Sequence, residues 1–297
     1  MRALSLTLAL TGFTIPAMAG TIYVADYGEI YKLSSGGVAS TFATGTGDTN
    51  LGMAFNSAGD LFVDSRDNNA IYEVTPAGVV STFATVGSPY GLAVDASGDV
   101  FTSSPNTGTI IEYSPSGVAS TFATDPGGYG YSFAIDPVTG YLFEGDENRN
   151  IYEYSPSGVR STFATGLPGI PVGLAFDQNG DLFAGDWGSQ ILKFTPSGSE
   201  SVFATLSNLV LPTGIAYDYA SNTLYMAEVD NGIATCCTQV VDAFTASGAQ
   251  STFTTGLFEP FGLADYESQS PSTPEPGTFF LLCAAGLTAL ARVRRSH

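Results

Sequence analysis

An all-β, six-bladed β-propeller of four-stranded blades is the fold class this sequence predicts. Three observations predict it: a recurring segment, four short strands within each recurrence, and one surplus strand after the last. The segment Ser-Thr-Phe-Ala-Thr begins at Ser40, Ser81, Ser120 and Ser161, then returns as Ser201-Val-Phe-Ala-Thr and Ser251-Thr-Phe-Thr-Thr. The steps are 41, 39, 41, 40 and 50 residues. Horseshoes and helical solenoids demand other periods or helices.

Residues 90–124 show the unit. Leu92 opens a short apolar strand ending near Asp95, the Ser97-Gly98 turn leads to Val100-Phe101-Thr102, Ile110 to Tyr113 alternates, and Val118 to Thr124 closes the unit. The last turn, Ser114-Pro115-Ser116-Gly117, puts proline where φ near −65° is wanted and glycine at the exit. Amphipathic helices have no place in such a unit.

The first unit starts late, at Thr21-Ile22-Tyr23-Val24, and lacks an innermost strand. After Thr255 the chain supplies one more, Pro260-Phe261-Gly262-Leu263-Ala264-Asp265. That strand is expected to complete the first blade and close a ring of six. Closure leaves no blade waiting for a strand from a second chain, so a monomer is expected.

The two ends read as addresses. Arg2, the mostly apolar residues 3–15 and Ala17-Met18-Ala19 form a signal peptide with an A-x-A cleavage site, which predicts removal of residues 1–19 and a mature start at Gly20. At the other end a Ser/Pro linker, residues 268–276, finishes in Pro274-Glu275-Pro276. Residues 278–291 are uncharged and mostly apolar, and Arg292, Arg294 and Arg295 follow. Fourteen uncharged residues fall short of the roughly 20 that span a bilayer comfortably, and the basic end should stay cytoplasmic. This order resembles the PEP-CTERM sorting tail of Gram-negative bacteria. The resemblance implies a tail (residues 277–297) that anchors transiently in the membrane and is processed by an exosortase-type protease. It implies a destination in the envelope, at the cell surface or in the extracellular matrix, in a setting associated with exopolysaccharide.

The propeller is expected over residues 20–267. Of nine Lys and Arg, Arg2, Arg292, Arg294 and Arg295 lie in the ends, and of 28 acids only Glu275 does, so the domain carries five cations against 27 anions. Such a surface repels phosphate backbones and excludes nucleic acid as a partner. Cys236 and Cys237 are adjacent and cannot staple distant strands, whether or not they bond to each other; Cys283 lies in the tail.

Gly173-Leu-Ala-Phe-Asp177, Gly180-Asp-Leu-Phe183 and Ile151-Tyr-Glu-Tyr154 resemble NHL repeats and the wider SMP-30/gluconolactonase-like group of six-bladed propellers. Enzymes of that group hold a divalent metal at the axis with Asn, Asp and Glu from the inner-strand mouths. The matching positions here carry Leu51, Tyr90, Tyr131, Val172, Thr213 and Phe261, with Asn50 alone nearby, so the oxygen cage is missing from that ring. Streptogramin-lyase-like propellers use histidine for proton transfer, whereas the one histidine here is His297 in the tail.

No catalytic residue and no metal ligand is therefore assigned. Asp95, Asp136, Asp177 and Asp218 recur where turn-capping Asp belongs, and Glu73, Glu112 and Glu153 where a solvated face belongs. The acidic loops 64–69, 146–150, 186–190 and 228–238 leave Ca2+ as the one ion to consider, without a D-x-D-x-D-G run to support it. The candidate ligand-binding residues are Tyr90, Tyr131 and Phe261 at the axial mouth with Trp187 in a loop above, a stacking floor under a carboxylate rim. The expected role is a binding or scaffold protein for exopolysaccharide or a surface protein. A metal-dependent lactonase or lyase is the alternative, and a purely architectural envelope protein the third reading.

Overall fold

The structure, a computed structural model, describes residues 20–47, 52–124, 129–206, 210–230 and 239–266. The expected signal peptide lies outside them, as do residues 268–297 with Pro274, Glu275, Pro276, Arg292, Arg294, Arg295, Cys283 and His297. Asn50, Leu51, Cys236 and Cys237 also lie outside.

Every element among the described residues is a strand, and the strands form six antiparallel four-stranded sheets. Blade 1 runs, from the axis outward, Pro260–Asp265, Ile22–Asp26, Glu29–Leu33 and Ala39–Thr44. Blade 2 is Met53–Phe55, Leu61–Ser65, Ala70–Val74 and Val80–Thr85, and blade 3 is Tyr90–Val94, Val100–Ser104, Thr109–Tyr113 and Ala119–Thr124. Blade 4 is Gly130–Ile135, Leu142–Asp146, Asn150–Tyr154 and Arg160–Thr165; blade 5 is Pro171–Phe176, Leu182–Asp186, Gln190–Phe194 and Glu200–Thr205. Blade 6 is Val210–Asp218, Thr223–Asp230, Val240–Phe244 and Gln250–Thr255. The surplus strand closes blade 1 as expected, pairing Ile22 with Asp265, Tyr23 with Ala264 and Val24 with Leu263.

The recurring phenylalanine has a packing reason. In every blade it leaves the outermost strand and meets, edge to face, an aromatic ring of the second strand. The pairs are Tyr23–Phe42, Phe62–Phe83, Phe101–Phe122, Phe143–Phe163, Phe183–Phe203 and Tyr225–Phe253, all with centroids 4.8 to 5.0 Å apart. Each such pair adds about 0.5–1.5 kcal/mol beyond its buried area. The turn glycine serves the neighbouring contact: Gly37, Gly78, Gly158 and Gly248 have positive φ and press on the carbonyl of the preceding blade's phenylalanine, where a Cβ has no room. Repeated ring and repeated glycine thus join each blade to the next.

Around the axis a second glycine ring, Gly52, Gly91, Gly173, Gly214 and Gly262, lets inner strands approach backbone to backbone, with Ser132 in the blade 4 position. A Cβ on Gly173 would stand 2.9 Å from Ile215 N, and one on Gly214 would collide with Phe261 O. Hydroxyls bridge the same seams, with Ser103 donating to Gly130 O at 3.1 Å, Ser132 to Pro171 O at 2.9 Å and Thr213 to Pro260 O at 2.7 Å.

Candidate functional site

The inner strands all run from one mouth of the axial channel to the other. At their starts Tyr90, Tyr131, Val172, Thr213 and Phe261 surround the first mouth; at their ends Asp95, Asp136, Asp177, Asp218 and Asp265 surround the second. Between them Met53, Leu92, Phe133, Leu174, Ile215 and Leu263 form an apolar waist. Beneath the first mouth there is space of only about 50 Å3. The second opens into a funnel of about 330 Å3 rimmed by Asp95, Asp136, Asp265 and Tyr219. The sequence reading placed the ligand floor at the first mouth and overlooked this larger cavity, because inward-facing alanines such as Ala93 and Ala175 read simply as core.

Three of the four candidate aromatics meet. Tyr90 lies 5.3 Å from Tyr131, and Tyr131 lies 5.6 Å from Trp187, all edge to face. Two further residues join them: Tyr129, 5.5 Å from Tyr90, and Arg66, whose guanidinium stacks 4.7 Å from the Tyr90 ring centre. The indole nitrogen of Trp187 donates to Pro212 O at 3.2 Å, which fixes the ring while leaving Trp187 42% and Tyr129 40% exposed. Burial pushes the Tyr90 and Tyr131 phenols above their ordinary range, so both stay protonated donors in neutral water. The result is an arc across blades 2 to 5. Phe261 makes no ring contact with it: it starts the inner strand of blade 1, opposite Tyr131 of blade 4 and two blades from both Tyr90 and Trp187. Tyr129 was legible as the residue just before Gly130-Tyr131, and Arg66 as the lone cation of its loop.

The expected carboxylate rim needs correction. Asp64, Asp146 and Asp186 are fully buried and hold backbone N–H groups rather than face solvent. Asp64 accepts from Gly52 N at 2.9 Å, Asp146 from Asn148 N and Asn150 N, and Asp186 from Gly188 N, Gln190 N and Gly169 N. Asp26, at the equivalent end of its strand, accepts from Phe258 N and Glu259 N. Asp26, Asp64 and Asp186 tie their strand ends to the segment leading into the inner strand, and Asp146 holds its own loop, because a folded loop must satisfy its amides. Asp95, Asp136, Asp177 and Asp218 do cap the following turns through backbone N–H groups two residues on. Glu112 and Glu153 accept from Ser120 and Ser161 on the outermost strands. Among the described residues no three His, Cys, Asp or Glu side chains converge as a metal cage.

Blade 6 puts Glu228 where its neighbours put Asp. Burial, the Asp242 charge beside it and a hydrogen bond to Asp242 push its carboxyl up to about 8. An unfolded glutamate titrates near 4.3, so the native state holds this proton across the interval. The stabilisation is complete below pH ~4.3 and is lost as pH rises through 8. Glu228→Gln mimics the protonated form. Relative to the parent it should gain about 4 kcal/mol, or roughly 10 °C in Tm, between pH 5 and pH 8.5. Melting curves at both pH values check this, and a parallel response of the two proteins would refute it.

No protein-family model and no curated protein matches the chain by sequence. Solved structures do. A chain from the crystal structure of a nidogen/laminin complex is 22% identical with a TM-score of 0.72, covering 84% of this chain and 99% of that one. A streptogramin B lyase is 18% identical with a TM-score of 0.61, covering 85% and 89%. A gluconolactonase from Xanthomonas campestris is 18% identical with a TM-score of 0.56, covering 68% and 74%. Those three proteins differ in what they do, so the likeness speaks for architecture: this chain is a six-bladed β-propeller of the kind they share.

Proposed function

We propose that this chain is an exported, envelope- or matrix-associated binding scaffold whose ligand is a neutral glycan stacked on the aromatic arc. The observation that carries the reading is the run Tyr90, Tyr129, Tyr131 and Trp187, in which Tyr129 and Trp187 are exposed, Tyr131 is half-buried, Tyr90 is buried, and Trp187 is immobilised by its own hydrogen bond. Sugar rings offer apolar C–H faces to such rings and hydroxyls to the phenols. The excess of 27 acids over five cations disfavours anionic polymers and leaves neutral ones. Export follows from the A-x-A site before Gly20. Attachment follows from the Pro274-Glu275-Pro276 tail, processed by an exosortase-type protease after transient anchoring in the membrane, and an exopolysaccharide of the producing cell fits that destination.

Trp187 is the only tryptophan in the chain, so its fluorescence reports this site alone. Titrating the exported domain with neutral oligosaccharides should change that emission. Tyr131→Ala should weaken binding at least tenfold, about 1.4 kcal/mol, while Phe261→Ala, across the ring, leaves it unchanged. Equal affinity of the parent and Tyr131→Ala proteins would remove the arc from the account. Stoichiometric calcium or zinc, with lactone hydrolysis lost on chelation, would replace the reading by metal-dependent lactone chemistry.

A further inference from the structure

Gly20, the residue at which the A-x-A site sets the mature start, is buried at the seam between blades 6 and 1. Its nitrogen lies 2.9 Å from Asp218 Oδ2. Asp218 ends the inner strand of blade 6 and Asp265 ends that of blade 1; they are 0% and 3% exposed. A Cβ on Gly20 would stand 2.5 Å from Asp265 Oδ1 and 2.8 Å from Asp218 Oδ1. Both carboxylates therefore close on the glycine backbone itself, and no side chain fits there. Asp218 also accepts from Ala220 N and from Ser221 N and Oγ, which holds its carboxylate in place.

A peptide N–H brings this pair a dipole. An α-ammonium brings it a unit charge and three donors, the group that two buried carboxylates bind best. We propose that signal-peptide cleavage creates the ligand of this pocket. Hydrolysis of the Ala19–Gly20 bond by the exporting cell's signal peptidase consumes one water, leaving a carboxylate on Ala19 and a protonated amine on Gly20. The new ammonium then docks between Asp218 and Asp265. It is an internal clamp: an ion pair available only after processing ties the start of the mature chain to Asp265 of blade 1 and Asp218 of blade 6, beside the closure of blade 1, where Ile22–Asp26 and Pro260–Asp265 are joined by strand pairing and not by the chain itself. Maturation and ring locking become one event, and the glycine is required because only a residue without a side chain brings its nitrogen to both acids.

The inference rests on export with cleavage after Ala19, and the test separates the two. The full chain is exported, its first residue determined by mass spectrometry, and its melting compared with that of a chain carrying one serine inserted between Ala19 and Gly20. The inserted chain should melt about 6–10 °C lower, the scale of breaking one buried ion pair in a domain of this size. Asp265→Asn should lower the Tm of the natural chain but add little in the inserted one, since both remove the same pair. In the unaltered protein the Gly20 amine should resist acylation at pH 8 and react in denaturant, which decides the matter even if the inserted chain is not recovered. A different first residue overturns export at this site and the clamp together. A Gly20 start with equal melting, additive Asp265→Asn losses or a freely acylated amine overturns the clamp alone.

Discussion

A chain ending at Thr255 is expected to lose its cooperative thermal transition, whereas one ending at Glu267 keeps it. The shorter chain lacks the strand that gives blade 1 its inner edge and touches blades 6 and 2. Leu263 packs with Ile22, Val24, Ala216 and Val241, and Ala264 with Met53 and Phe55. Removing buried Leu263 alone forfeits about 2–3 kcal/mol. The Ile22–Asp26 strand is left with an unpaired edge, and buried Asp26 loses the two backbone donors it takes from Phe258 and Glu259. Together these losses are on the order of 10 kcal/mol, comparable to the whole stability of an ordinary domain. Circular dichroism against temperature reads the result, and an unshifted midpoint for the shorter chain would mean that the ring does not depend on this closure.

The second large effect is expected at Gly214. Its φ is ordinary, so a substitution meets no backbone penalty of its own, but a Cβ there collides with Phe261 O of the next blade. The clash is backbone against side-chain root, and only a shift of a whole blade relieves it. Gly214→Val is expected to cost about 3–5 kcal/mol and to lower Tm by roughly 10 °C. Gly256 is the contrast: φ is +84° with no atom within 4 Å of its Cβ position, so Gly256→Ala costs about 1 kcal/mol of strain alone. If the two substitutions cost the same in chemical denaturation, close approach around the axis is not what the ring of glycines provides.

The fold was legible because a strand-turn repeat writes itself into the chain six times. The Ser-Thr-Phe segment, the Pro-x-Gly turns and the late start of the first unit are local features with one global consequence. The candidate site was less legible. Tyr90, Tyr131 and Trp187 come together from three blades, and two of them could be placed by repeat position; yet the same logic nominated Phe261, which faces the channel from the opposite side. Repeat position gives height along the axis and blade order gives the angle around it, and the angle sets Phe261 of blade 1 opposite Tyr131 of blade 4. The acids misled for a related reason. Asp146 and Asp186 sit in loops that look solvated, but strand ends at a propeller mouth are enclosed by the incoming inner strand, so their carboxylates face amides. Only the recurrence of an acid at that strand end, in Asp26, Asp146, Asp186 and Glu228, hinted at a structural role.

Blade 1 contains both extremities of the described domain, and this sets a direction. Gly20 and Tyr266 stand at the same mouth, with Tyr266 N bonded to Thr21 O, whereas Trp187 and Tyr129 stand at the other. A propeller tethered through the segment that follows Tyr266 would rest on its funnel side, like a cup standing on its base, and hold its aromatic rim toward whatever approaches from outside.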